Sequence, residues 1–282
     1  MTGTIPAAIR RLCLRLDTEA YSARDVHAQI VVQSRLSALT AASCRWAGVD
    51  ASRCELQPSG DGVLVIFPAD IDEGRAIPRL LQGLADGLRR GNALDWPGDR
   101  MRLRAALSQG TVRVAENGYV GRAVVAVSRL VDAPPLRVAL AARPDRDLAV
   151  IVTDDLYQDM RHDVPARAEP YERVRVSIPG KGFEADAWIS VPQPGSLLQQ
   201  SRGTPGGEAV DPFDIAIPLG LGGGALGMAA VLASQSGSGP STDDFDGHAP
   251  SAHDPIAHDP PADDANTHDS GDHAGGDHGN LD

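Results

Sequence analysis

Aromatic residues are scarce in this sequence, and the signatures of several functional classes are missing from it. Only 4% of the 282 residues are aromatic, and residues 1–200 hold no cluster of basic residues interleaved with aromatics, which argues against a nucleic-acid surface. The three cysteines are an odd number without metal-ligand spacing, so they indicate a reduced, cytosolic core. The N-terminus lacks the basic and apolar regions of a signal peptide. No Ser/His/Asp or Cys/His arrangement stands out, which argues against a hydrolase.

Basic residues are also absent from the C-terminal stretch of the chain. Residues 234–282 hold eleven aspartates and six of the eight histidines, but no lysine or arginine. The formal net charge of the chain is −12, so without those eleven charges residues 1–233 carry only −1. Repeated His-Asp pairs cannot build a hydrophobic core, and we predict a disordered, solubilising tail. Loose binding of transition metals by its histidines is the less favoured interpretation.

Two further segments separate this tail from the rest of the chain. Residues 194–212 are rich in Pro, Gly, Ser and Gln and are predicted to be a linker. The apolar, glycine-rich segment 213–233 follows, and its residues 215–233 carry no charge and are long enough to span a bilayer. Pro218 and five glycines dilute its hydrophobicity, so a membrane span and a flexible segment that docks on a partner both stay open. If it spans, the lack of positive charge after it leaves the folded domain on the cytoplasmic side.

Hydrophobic periodicity predicts a single α+β domain over residues 1–193. Apolar runs bounded by turn signals predict strands, and apolar residues at helical spacing predict helices. The predicted strands are residues 12–16, 54–57, 63–67, 101–107, 111–115, 148–152, 171–178 and 183–191. The predicted helices are residues 22–47, 76–90, 121–131 and 154–161. This order predicts a ferredoxin-like or palm-like, mainly antiparallel sheet with helices on one face and functional turns at one edge.

Two aspartates stand where an apolar strand meets a turn. Asp17 follows the apolar run of residues 12–16, and Asp61 lies in a Ser-Gly-Asp-Gly turn between two strands. Taken singly, Asp17 could be a helix N-cap, and Asp61 a hairpin residue that tolerates unusual backbone angles. If neighbouring strands bring the two carboxylates together, their like charges need a cation, and oxygen ligands suit a hard divalent ion. The pair therefore predicts a metal site for nucleotide chemistry.

The order of motifs over residues 10–192 resembles the catalytic domain of the class III nucleotide cyclases, the adenylate and guanylate cyclases. Residues 14–22 (LRLDTEAYS) are similar to that family's first strand, metal aspartate and phosphate-facing loop. Residues 59–67 (SGDGVLVIF) are similar to its second metal-aspartate hairpin. Three later segments resemble its central strand, the helix with the transition-state arginine, and the hairpin with a triphosphate-facing lysine: residues 102–112, 118–130 and 178–182.

The resemblance implies roles for individual residues. Asp17 and Asp61, with the backbone carbonyl of Thr18, would hold two Mg²⁺ or Mn²⁺ ions, which activate the ribose 3′-hydroxyl and neutralise the phosphates. Arg129 would stabilise charge on the α-phosphate in the transition state, and Lys181 would hold the triphosphate. The family takes the aspartates from one chain and the arginine from the other. The resemblance thus implies a head-to-tail homodimer that makes a cyclic nucleoside monophosphate and diphosphate from a nucleoside triphosphate.

Three positions depart from the family's pattern. Gln57 stands where the family has a base-selecting lysine or glutamate, and Gly118 occupies the partner position, so neither supplies a charged base contact. Gln57 can still donate and accept hydrogen bonds. Val125 replaces the asparagine that orients the ribose. These departures favour a second hypothesis, a catalytically weak or inactive cyclase-homology domain that binds nucleotide or only dimerises in signalling, whereas the retained aspartates and arginine favour the enzyme.

Two other protein classes share part of this motif set. A diguanylate cyclase or a polymerase palm shares the first strand and the hairpin carboxylate, but the helix with Arg129 and the Gly-Lys-Gly hairpin argue against both. The chain also resembles divergent, actinobacterial-type cyclase-like proteins that carry linked regulatory modules. That likeness implies a role in signal transduction under either hypothesis.

Overall fold

A sheet of eight strands organises the part of the chain that this computed structural model describes, residues 5–94, 100–162 and 170–195. The strands are β1 (Ile9–Thr18), β2 (Glu55–Ser59), β3 (Gly62–Ile66), β4 (Leu103–Ala115), β5 (Gly118–Val120), β6 (Leu148–Thr153), β7 (Glu172–Ile178) and β8 (Phe183–Ser190). The helices are α1 (Val26–Trp46), α2 (Glu73–Asn92), α3 (Arg122–Leu130), α4 (Pro134–Ala141) and α5 (Asp154–Met160). The strands lie in the order β2-β3-β1-β4-β6-β8-β7, and β5 pairs with the end of β4. Only β4 and β6 pair in parallel within this sheet, so the predicted α+β class with an antiparallel-rich sheet is confirmed.

The strand pattern differs from the prediction in the middle of the chain. Residues 101–107 and 111–115 were predicted as two strands, but residues 103–115 form the single strand β4. Its residues pair without a break against β1 from Leu103 to Val112, so the Ser-Gln-Gly segment between the predicted strands is extended rather than turned. Helix α4 was not predicted. It begins with Pro134 and Pro135, which suit the first helical positions because those N–H groups have no partner inside a helix.

Helices cover both faces of the sheet, and the prediction of one covered face was wrong. Leu12, Leu14 and Leu16 of β1 belong to the core cluster that includes residues of α1, α2 and α5. Cys13, which points to the other face, belongs to a second cluster with residues of α3 and α4. Strand β3 is buried at all of its residues, because it is covered from both sides. A continuous apolar run, rather than strict alternation, is what two-sided burial requires.

Some predicted segments fall outside the described residues. Residues 196–282, which include the apolar segment 215–233 and the Asp/His-rich tail, are among them. Within residues 5–94, 100–162 and 170–195, no helix combines the length and hydrophobicity needed to cross a membrane.

Gly62, the first residue of β3, lies closer to β1 than a residue with a side chain could. Gly62 pairs with Asp17, and a Cβ atom built on Gly62 would overlap the carbonyl oxygen of Leu16. Gly60, two residues earlier, has a positive φ of 51° but has open space around it. Gly62 is therefore required by close packing, whereas Gly60 is favoured only by its backbone conformation.

The two glycines predict different costs for the same substitution. Gly62→Ala should lower the free energy of unfolding by about 3 kcal/mol, because the backbone of β1 or of the turn must shift to admit the methyl group. Gly60→Ala, the matched control, should cost only about 1 kcal/mol, the strain of a left-handed alanine. Urea unfolding of both variants measures the difference. Equal costs would show that the close approach of Gly62 to β1 does not exist in solution.

Candidate active site

The structure brings the two aspartates to one edge of the sheet. Asp17 is the second-last residue of β1 and lies opposite Gly62, the residue directly after Asp61. The Thr18 N–H donates a hydrogen bond to the carbonyl oxygen of Asp61 at 2.9 Å, which fastens the end of β1 to the turn. Asp17 is only 6% exposed, and Asp61 is half-buried. Two carboxylates thus share a site in which one of them is almost excluded from water.

Burial dominates the electrostatics of Asp17. It raises the pKa of the Asp17 carboxyl above its usual value, because a charge is costly to remove from water. The hydrogen bond and positive charge of Arg104 oppose this increase, whereas the negative charges of Asp61 and Asp132 add to it. A cation bound between Asp17 and Asp61 would offset both the cost of burying the Asp17 charge and the repulsion between the two carboxylates.

Arg104 is the residue that Asp17 contacts most closely, and sequence reasoning missed it. It lies directly opposite Asp17 on β4, and its Nε donates to Asp17 Oδ2 at 3.0 Å, while Nη2 donates to the same oxygen. The same guanidinium is 3.8 Å from Asp132, which in turn pairs with Arg137 at 2.8 Å. The only signal that could have found Arg104 is the register of β1 against β4, which a local motif does not contain.

The oxygen atoms at this edge fit a hard divalent cation. Within the described ranges, no cluster of three or more His, Cys, Asp and Glu side chains could hold a metal. Mg²⁺ needs fewer, because it is commonly bound through one or two carboxylates with water and phosphate oxygens completing the shell. Asp17, Asp61 and the carbonyl of Thr18 would be the protein's ligands. The buried Thr18 hydroxyl has no hydrogen-bond partner among the described residues, which leave this polar atom at the sheet edge unsatisfied.

The loop after Asp17 is held in a tight, defined path. Ala20 has a φ of 55°, in the left-handed region that alanine rarely adopts, and it precedes the short 3₁₀ turn Tyr21–Ala23. Glu19 donates its N–H to the carbonyl of Arg102 at 3.0 Å, and its carboxylate pairs with the Arg102 guanidinium at 2.8 Å. The path of the loop is therefore set by contacts to the chain on both sides of Ala20.

The two positions assigned to base contacts lie against each other. A Cβ atom on Gly118 would stand only 2.6 Å from Oε1 of Gln57, so any larger residue there would displace the amide. Gln57 Nε2 donates to the carbonyl oxygen of Asn117 at 3.5 Å, a long hydrogen bond that a better acceptor would replace. Of this pair, only the Gln57 amide can form a polar side-chain contact with a ligand.

Arg129 and Lys181 form no hydrogen bond or ion pair with Asp17 or Asp61 among the described residues. Neither Arg129 nor Lys181 is among the charges that shift the pKa of Asp17. Arg129 lies in α3 one turn after Val125, which is 51% exposed. Lys181, the single lysine of the chain, is exposed at the end of the turn Pro179–Lys181. Neither cation has a hydrogen-bond or ion-pair partner among the described residues, so both can bind an anion.

The shared site predicts that the titration of Asp17 depends on Asp61. The pKa of Asp17 should lie above the ordinary value of about 3.9, and it should fall in Asp61→Asn because a neighbouring negative charge is removed. Carboxyl-carbon NMR of the selectively labelled protein measures both values. Asp70→Asn, on an exposed residue that pairs with Arg53, is the control and should leave Asp17 unchanged. If the pKa of Asp17 is the same in Asp61→Asn as in wild type, the two carboxylates do not share a site.

Solved structures that are similar to this chain include nucleotide cyclase domains. The guanylate cyclase domain of RhGC from Catenaria anguillulae, in complex with GTP, is 14% identical, with a TM-score of 0.46 over 66% of this chain and 98% of that one. The adenylate/guanylate cyclase/hydrolase from Silicibacter pomeroyi is 19% identical, with a TM-score of 0.44 over 65% and 98%. The adenylyl cyclase CyaB from P. aeruginosa is 13% identical, with a TM-score of 0.44 over 66% and 96%. The likeness is one of fold, and no protein-family model and no curated protein matches the chain.

Proposed function

We propose that the chain is a nucleotide cyclase, which converts a nucleoside triphosphate to a cyclic nucleoside monophosphate and diphosphate. The observation that carries this proposal is the placement of Asp17 and Asp61 side by side at one sheet edge, with Asp17 buried. Two Mg²⁺ or Mn²⁺ ions bound there would supply Lewis-acid chemistry, by activating the attacking ribose hydroxyl and neutralising the phosphates. The carboxylates and the Thr18 carbonyl would hold the cations, and the burial of Asp17 would keep their charges effective.

Arg104 has a part in the same step. Its guanidinium pairs with Asp17 in the present structure, and Asp132 is the second carboxylate within its reach. A cation bound by Asp17 would leave the Arg104 guanidinium to Asp132 or to phosphate oxygens, which its planar set of donors suits. The charge of Asp17 would then be balanced both before and after substrate binding.

The position of Arg129 and Lys181 supports a homodimer in which two chains build each site. Both cations lack a hydrogen-bond or ion-pair partner among the described residues, and neither is among the charges that shift the pKa of Asp17. In a head-to-tail pair, the aspartates of one chain would face the two cations of the other. Arg129 would stabilise the α-phosphate in the transition state, and Lys181 would bind the outer phosphates.

A second candidate is a catalytically weak or inactive cyclase-homology domain that binds nucleotide or dimerises in signalling. The observation that favours it concerns the positions where contacts to the base and the ribose are expected. Val125 presents a half-exposed apolar side chain where a ribose contact is expected, and Gln57 and Gly118 offer no charge for the base. The two candidates predict different turnover, because only the first requires efficient formation of cyclic product.

Turnover by mixed variants distinguishes the candidates and tests the dimer. The full chain is incubated with each of four nucleoside triphosphates and Mn²⁺ or Mg²⁺, and cyclic product is measured by mass spectrometry. Asp17→Ala and Asp61→Ala should each reduce product at least about 100-fold, because cation binding supplies several kcal/mol of transition-state stabilisation. An equal mixture of Asp61→Ala and Arg129→Ala should recover about a quarter of the wild-type rate, since half the dimers hold one intact site of two.

The matched control is a mixture of Asp17→Ala with Asp61→Ala. It restores no site, because each chain lacks one of the paired carboxylates, and it should stay inactive. Absence of rescue in the first mixture contradicts the head-to-tail dimer. Absence of cyclic product from every wild-type reaction, with nucleotide binding retained, favours the second candidate.

An asparagine at position 125, where a ribose contact is expected, should increase the activity. Val125→Asn should raise kcat about fivefold, the value of one hydrogen bond of about 1 kcal/mol to the ribose. Val125 is half-exposed, so the polar amide should not disturb the core. Val138→Asn, at another exposed valine on α4, is the control and should leave kcat unchanged. Equal kcat values for Val125→Asn and wild type would show that position 125 does not face the ribose.

A further inference from the structure

One glutamine of α1 contacts both chain segments that carry the candidate metal ligands. Gln33 Nε2 donates a hydrogen bond to the Tyr21 hydroxyl at 2.7 Å and another to the carbonyl oxygen of Gly60 at 3.0 Å. Tyr21 begins a 3₁₀ turn four residues after Asp17, and Gly60 directly precedes Asp61. A single side-chain amide therefore bridges the loop that follows one aspartate and the turn that holds the other.

The acceptors fix the orientation of this amide. A backbone carbonyl can only accept hydrogen bonds, so the NH₂ group of Gln33, and not its oxygen, faces Gly60. That group has two N–H donors, and the structure gives it two acceptors. The Tyr21 side chain packs against the core cluster that includes residues of α1 and α2, so its hydroxyl is a fixed partner. Both donors of the amide are thus used to join these two segments.

The turn around Gly60 depends on contacts of this kind. Gly60 is exposed, and a Cβ atom built on it would have no neighbour within 4 Å, so side-chain packing does not hold this point of the turn. The next residue, Asp61, accepts a hydrogen bond from the Thr18 N–H through its backbone carbonyl. The turn is therefore fastened by a backbone hydrogen bond from β1 and by a side-chain hydrogen bond from α1.

We propose that Gln33 is a positioning residue, which fixes the spacing of Asp17 and Asp61 for cation binding by holding both segments through one amide. This inference rests on the proposed function, because a bound cation is what requires a defined spacing of the carboxylates. Mg²⁺ demands near-ideal octahedral geometry, so a displaced carboxylate binds it less well. Gln33 is exposed and belongs to neither core cluster, so its side chain acts on the two segments rather than on the core.

Titration of the full chain with Mn²⁺ tests the proposal without any assay of nucleotide turnover. The free Mn²⁺ is measured by electron paramagnetic resonance, and circular dichroism checks that each variant is folded. Gln33→Ala should raise the dissociation constant of Mn²⁺ about tenfold, at the lower end of what residues outside the ligand shell contribute to metal affinity. The matched control is Gln158→Ala, on an exposed glutamine of α5 whose amide donates to Asp154 of the same helix. It should leave the dissociation constant unchanged.

Two further measurements separate positioning from a general loss of structure. Tyr21→Phe removes one of the two acceptors, so it should raise the Mn²⁺ dissociation constant about threefold in the wild-type background. In Gln33→Ala it should have no further effect, because that hydrogen bond is already lost. Hydrogen exchange of the Thr18 amide, followed by NMR, should be about tenfold faster in Gln33→Ala, since this amide joins β1 to the Asp61 turn.

The outcomes distinguish this inference from the function on which it rests. Equal Mn²⁺ affinities of Gln33→Ala and wild type would overturn the inference alone. The same holds if the effects of Tyr21→Phe and Gln33→Ala multiply in the double variant, or if the exchange of the Thr18 amide is unchanged. Wild-type protein that binds no Mn²⁺ would instead overturn the proposed function, and this inference with it.

Discussion

The contact between Asp17 and Arg104 is the interaction on which the site depends. A carboxylate that is 6% exposed cannot stay charged without a partner, and breaking such a buried pair typically costs about 3–5 kcal/mol. Strand β1 lies between β3 and β4. Asp17 of β1 is therefore next to the Asp61 turn on the β3 side and opposite Arg104 on the β4 side. The pairing that builds the centre of the sheet is thus the same pairing that assembles the charged site.

Local sequence patterns were sufficient to predict where the strands end along the chain, but not which residues of other strands lie beside those ends. The apolar run before Asp17 and the Ser-Gly-Asp-Gly turn predicted where each carboxylate stands along the chain, because strand and turn signals are local. Arg104 was missed since its role follows from the register of two strands far apart in sequence. The Ser-Gln-Gly segment of β4 resembles a turn by composition, and only its pairing with β1 keeps it extended. Likewise, helix α4 was not predicted because it begins with Pro134 and Pro135, although its residues cover the second face of the sheet.

The candidate site divides into two halves that place different demands on the sequence. Cations and phosphates are bound by charge, so a few carboxylates, an arginine and a lysine are enough. A base is distinguished by the pattern of donors and acceptors, and the Gln57 amide can present either group. Such a contact discriminates weakly between bases, because rotation of the amide exchanges its donor and acceptor. In the proposed enzyme, the departures at Gly118 and Val125 would therefore affect selectivity and alignment more than the binding of a triphosphate.

Lys181 is unusual because it is the only lysine in the chain, in which every other side chain that is fully positive at neutral pH is an arginine. Arginine keeps its charge under acylating conditions, whereas acetylation of a lysine removes its charge. The residue is exposed at the end of its turn, so its amine is accessible to reagents and to modifying enzymes. Any lysine acylation of this protein must consequently occur at one position, and it would neutralise that cation while leaving the rest of the molecule's basic side chains charged.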